Sequence, residues 1–169
     1  MLWFNQTTFR GTFSEAPWAA LESCVEETAT LILMNDRTAR MRMCEQTRRP
    51  SGNPDEASCR ALIKLWEQKQ PRVTSVGHRF ERLLGFFGLG APLDEAHAAQ
   101  LAEINALRNC LMHRRGIVDE KAVREAPSLA PRLNQPIAIS RADFLAYHKV
   151  VGDYAVLLMG RVTVSNYCT

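Results

Sequence analysis

The chain has 169 residues, 46% of them hydrophobic, with 21 basic and 18 acidic side chains for a net charge of +3. That length and balance fit one globular domain over residues 1–169, with enough apolar material for a real core. The charge is too small to demand a nucleic-acid partner. Yet 17 of the 21 basic residues are arginine, which suits bidentate phosphate contacts better than lysine does. No apolar run approaches the roughly 18 residues needed to span a bilayer, and the start, MLWFNQTTFRG, lacks the basic-then-apolar order of a signal peptide. A soluble, cytoplasmic protein is expected. The five cysteines, Cys24, Cys44, Cys59, Cys110 and Cys168, are odd in number and contain no CxxC pair, so buried reduced thiols are expected and a zinc site is not.

In chain order, Ser14 can cap a helix that carries Pro17 in its first turn. Trp18, Leu21, Val25, Leu31, Ile32 and Met34 recur at helical spacing as far as Asn35, and the same helix can continue to Gln46. The continuation holds Arg37, Arg40, Arg42, Arg48 and Arg49. It reads first as a solvated face, with phosphate contact as the alternative. PSGNP (Pro50 to Pro54) breaks the pattern, Asp55 opens the next helix with Ala61, Leu62, Leu65 and Trp66 on one face, and Pro71 ends it.

A helix is expected over Val73 to Phe87, closed by GLGAP (Gly88 to Pro92). Trp66, Phe80, Phe86 and Phe87 read as core or interface aromatics. Asp94 opens the following helix and Gly116 stops it. His97, ahead of an alanine run, is expected to be exposed, whereas His78 and His148 sit beside aromatics. Ile117 to Ser140 is rich in proline and reads as an extended connection with a short strand at PIAIS, before a last helix from Arg141 to Met159. With no repeat and no βαβ alternation, the fold class is all-α: a helical bundle with one long extended connection before the C-terminal helix.

The stretch RNCLMHRRGIVDE, Arg108 to Glu120, places polar residues where the helix opened by Asp94 should end. At about 100° per residue, with Asn105 as origin, Arg108 falls near 300°, Asn109 near 40° and His113 near 80°. Ile104, Leu107 and Leu111 form the opposite, core-facing stripe. Arg108 and His113 diverge by about 140°, so joint work needs a frayed helix end or a second subunit. Chemically the trio suits RNA cleavage. Histidine exchanges protons near neutral pH, arginine stabilises charge developing on a phosphoryl group, and an amide can orient either. The RNA supplies its own nucleophile in the 2′-hydroxyl, so the reaction needs no metal or cofactor. Spacing alone is unspecific, because Arg72–His78 and Arg141–His148 match it too.

The context R-N-x3-H-x2-G-x2-D, with its following connection and closing helix, resembles the HEPN superfamily, and in particular HEPN domains of the RiboL-PSP type. The likeness covers roughly Val73 to Met159. It implies a helical bundle that dimerises through the motif helices, and a metal-independent endoribonuclease of toxin–antitoxin or other defence systems, with an antitoxin or other regulatory protein as a possible partner. Carried over by position, Arg108, Asn109 and His113 are the catalytic set, and Arg114 and Arg115 would help hold the RNA backbone. Some toxin members carry a tyrosine two residues after the motif histidine, modified by a partner nucleotidyltransferase; here that position is Arg115. The alternative is a HEPN domain that binds RNA, a nucleotide or a protein partner without cleaving anything.

Overall fold

Residues 15–50, 52–73 and 75–167 are described by a computed structural model, so Ser14, the expected first cap, and Cys168 lie outside the described residues. Among the described residues the regular structure is helical: α1 (Glu15–Asn35), α2 (Arg37–Thr47), α3 (Glu56–Lys69), α4 (Val76–Phe86), α5 (Glu95–His113), α6 (Glu120–Glu125), a 3-10 turn (Pro127–Arg132) and α7 (Arg141–Thr163). The all-α class is therefore what the sequence pattern indicates. No helix among these residues is long and apolar enough to cross a membrane.

Local chemistry explains most boundaries. Asp55 accepts from the Ser58 amide at 2.9 Å, and Asp94 from the His97 amide at 3.1 Å, each satisfying a donor that has no partner within its helix. Gln70, preceding Pro71, takes extended angles (φ −80, ψ 151), because proline disfavours helical angles in the residue before it. Ser140 and Asp143 form a reciprocal capping box that starts α7.

Two expectations change. The first helix does not run on to Gln46: Asp36 adopts extended backbone and accepts from the amides of Thr38 and Ala39, starting α2 as a separate helix. Ile117 to Ser140 is not extended throughout either. Asp119 caps α6 through the Ala122 amide at 2.8 Å, Pro127 sits in the first turn of the 3-10 segment, and PIAIS contributes a single bridge, Ile117 to Pro136.

The main core joins α1, α3, α4, α5 and α7 around Trp18, Leu33, Ile63, Phe80, Leu84 and Leu101, with Tyr154 and Leu158 from α7. Each such side chain contributes about 1.5–3 kcal/mol through burial. The rings of Phe80 and Tyr154 lie 6.0 Å apart, and those of Trp18 and Phe80 6.2 Å. A second cluster forms under α6, where Ala106, Leu107 and Cys110 of α5 meet Val118, Ala122 and Leu129. Leu107 was expected to face the core; Ala106 and Cys110 extend that face because α6 covers it.

Candidate functional site

Helix α5 is buried on two sides, by the main core at Leu101 and Ile104 and under α6 at Ala106, Leu107 and Cys110. What remains is a polar arc made of Asn105, Arg108, Asn109, Met112 and His113, all half-buried or exposed. Met112 lies in this arc by the same helical spacing, where it could support the polar groups from below. It stands out in solvent instead, 45% exposed.

The end of α5 is built by carbonyl capture. The Cys110 carbonyl accepts the amides of Arg114 (2.9 Å) and Gly116 (3.0 Å). That reversal needs left-handed backbone, and both Arg115 (φ 56) and Gly116 (φ 75) supply it. The expected glycine stop is thus shared with an arginine, for which this conformation is strained. Cys110 is buried beneath, and burial pushes its thiol pKa above the ordinary value.

The motif residues do not converge within one chain. Arg108 turns toward α1, where its Nη1 lies 3.9 Å from Glu22 Oε2, and its Nε is buried without a hydrogen bond. His113 is exposed at the helix end, and Asn109 is half-buried. Arg114 pairs with Asp119 at 3.1 Å, so Asp119 both caps α6 and pins the residue after the motif histidine. Arg115 is exposed.

Arg79 was not a candidate from sequence. It stands 3.6 Å from Glu22 and 3.8 Å from Glu67, so Glu22 lies between two arginines of different helices. Arg79, Asn105 and Glu125 also line a cavity of about 190 Å³ beside the arc. No local pattern could have revealed this grouping, because it depends on how α1, α4 and α5 pack. Glu103, on the same helix, accepts from the Tyr147 hydroxyl of α7 at 2.6 Å and from Ser128 at 2.5 Å, tying α5 to both neighbours. Burial, followed by this bond to Glu103, raises the Tyr147 pKa.

The other histidines make packing contacts, while Nε2 of His97 and Nε2 of His148 are buried without a hydrogen bond. His78 faces Glu95 at 3.9 Å, His148 stacks on Phe144 at 4.1 Å, and His97 packs 6.0 Å from the Tyr154 ring. The exposure expected of His97 is therefore corrected: it is half-buried, because its ring packs against Tyr154 of α7. The basic segment also differs from a plain solvated face. Arg40 donates to the Leu33 and Met34 carbonyls at the end of α1, and Arg42 lies 4.4 Å over the Phe86 ring. Trp66, Phe80 and Phe87 are buried and Phe86 packs against them, as the aromatic pattern suggests. Among the described residues, no group of three or more His, Cys, Asp or Glu is placed to hold a metal ion.

No family model, no curated protein and no solved structure matches the chain.

Proposed function

We propose that the chain is a HEPN-type endoribonuclease that acts as a homodimer and cleaves RNA by attack of the 2′-hydroxyl. The observation that carries this reading is the exposed His113 at the end of α5, in one polar arc with Asn109 and Arg108 and followed by Arg114 and Arg115. His113 takes the proton of the 2′-hydroxyl, and the 2′-oxygen attacks phosphorus. The 5′-oxygen leaves with a proton from His113 of the second copy, so the products are a 2′,3′-cyclic phosphate and a 5′-hydroxyl. Arg108 stabilises the charge gathering on the phosphoryl oxygens. A two-fold pairing of α5 helices would bring Arg108 of one copy toward His113 of the other, which the divergence within one helix otherwise prevents. The RNA provides the nucleophile, so the scheme assigns no step to a metal. A toxin or defence role with a neutralising partner belongs to the same proposal.

The ion pair of Arg108 with Glu22 favours a second reading, in which the domain binds RNA, a nucleotide or a protein partner without chemistry. Incubation of end-labelled RNA in excess chelator separates the two. Cleavage by wild type and not by His113→Ala supports the nuclease. RNA binding without product supports the binding module. Equal cleavage by both proteins overturns the assignment of His113.

A further inference from the structure

A second cavity, of about 310 Å³, lies between α2 and α3, and no residue of α5 lines it. Its size is at the lower end of small-molecule sites, which run to about 300–1,000 Å³. Arg40 and Arg49 stand on its wall, Leu62 and Leu65 are part of its floor, and the thiols of Cys44 and Cys59 border it. Among the described residues, no carboxylate lines it.

The state of Arg40 is the informative feature. Arg60, Arg79, Arg108 and Arg161 lie within ion-pair distance of glutamates. Among the described residues, the half-buried Arg40 and Arg82 have carbonyl partners alone, and Arg40 lines the cavity. Arg40 has no carboxylate partner among the described residues, although it is half-buried. One of its nitrogens serves the carbonyls of Leu33 and Met34, and its Nε is buried without a hydrogen bond. A half-buried cation without a counter-ion is costly, and the negative end of α1 offsets that cost only in part. Arg49, exposed on the rim, adds a second cation, and no carboxylate lines the cavity beside it among the described residues.

We infer that this cavity binds a small organic anion, with its carboxylate or phosphate held by Arg40 and Arg49 and a compact apolar body resting on Leu62 and Leu65. An inorganic ion satisfies the arginines and leaves the leucine floor in water. An uncharged apolar molecule covers the floor and leaves the arginines unpaired. The combination selects a ligand with both parts, as a medium-chain fatty acid has in its alkyl tail or a nucleoside monophosphate in the face of its base. The inference is independent of RNA cleavage.

The bordering thiols provide the readout. Maleimide labelling of the full chain, resolved by peptide mass spectrometry, is followed at Cys44 and Cys59, with Cys110 under α6 as the internal control. Octanoate or adenosine monophosphate at saturation should slow labelling of the first two about tenfold and leave Cys110 unchanged, while inorganic phosphate alone does not. Protection by only one of the two organic probes assigns the site to that class of organic anion. Arg49→Ala, an exposed substitution that should leave folding intact, should need about tenfold more probe, as loss of a charged contact implies. His113→Ala should behave as wild type. Where the thiols react too slowly, titration calorimetry with the same probes reads the affinities directly. The inference is overturned if neither organic probe binds, if phosphate protects as well as they do, or if Arg49→Ala responds like wild type.

Discussion

Arg108 Nη1 lies 3.9 Å from Glu22 Oε2, so the motif arginine is held against α1 and away from His113. Glu22 serves Arg79 as well, at 3.6 Å, and one carboxylate therefore restrains two cations that could otherwise meet a phosphate. Both arginines are partly solvated, so the pairs add little to stability and mainly set where the guanidinium groups point.

Glu22→Gln keeps the shape of the side chain and removes the fixed anion. Filter binding with single-stranded RNA at low salt should show affinity about three- to tenfold tighter than wild type, with the gain fading as salt rises. Weaker binding would mean that Glu22 positions Arg108 for RNA and does not compete with it.

Arg115 occupies left-handed backbone at φ 56, a conformation that costs a non-glycine residue about 1–2 kcal/mol. Arg115→Gly relieves that strain and loses part of the gain to unfolded-chain entropy, so stability should rise by about 0.5–1 kcal/mol. Urea unfolding reads this as a higher midpoint at unchanged slope. RNA affinity should fall in the same variant, a trade that a purely structural arginine would not show.

Glu81 is buried in the main core. It accepts from the Tyr154 hydroxyl, the Arg161 guanidinium and the Ala91 amide, each at 2.8 Å. Gly90 is required nearby, since a Cβ there would come within 2.7 Å of the Glu81 carbonyl oxygen. Glu81→Ala strands all three donors and should cost about 3 kcal/mol in urea unfolding. A loss below about 1 kcal/mol would mean that water replaces the carboxylate.

The Ser140 amide and hydroxyl both donate to Asp143, and these bonds hold its carboxyl pKa below the ordinary carboxylate range. A folded-state pKa lowered in this way stabilises the protein above the unfolded value, about 3.9. The contribution disappears as pH falls from there through the folded-state value. The stability difference between wild type and Asp143→Asn should therefore be constant near neutrality and shrink in acid below about pH 4. A difference that persists at the acid end would assign the effect to the side chain's hydrogen-bonding shape and not to its charge.

Helix starts were legible at Asp55 and Asp94, where a capping aspartate follows a proline-marked break. The break at Asp36 was missed because hydrophobic spacing continues across it and only the Asp36 cap marks the new helix. The short helix α6 escaped notice for a different reason. Six residues are too few to show a period, and Ala122 is its one buried position. At the candidate site, the exposure of His113 and the carbonyl capture after it follow from local sequence. Glu22 and Arg79 do not, because their meeting with Arg108 is set by the packing of α1 against the later helices α4 and α5.

The excursion between α5 and α7 closes on itself. Val118 donates to the Gln135 carbonyl, Asn134 to that of Val118, and Ile137 to that of Gly116, so the chain leaves and returns through one narrow neck. A neck of this kind separates the length of the excursion from the placement of the helices on either side. Doubling the chain beyond it costs only about 0.6 kcal/mol in loop entropy. Variation in the 3-10 turn can therefore reshape the surface this excursion carries while α5 and α7 keep their mutual position.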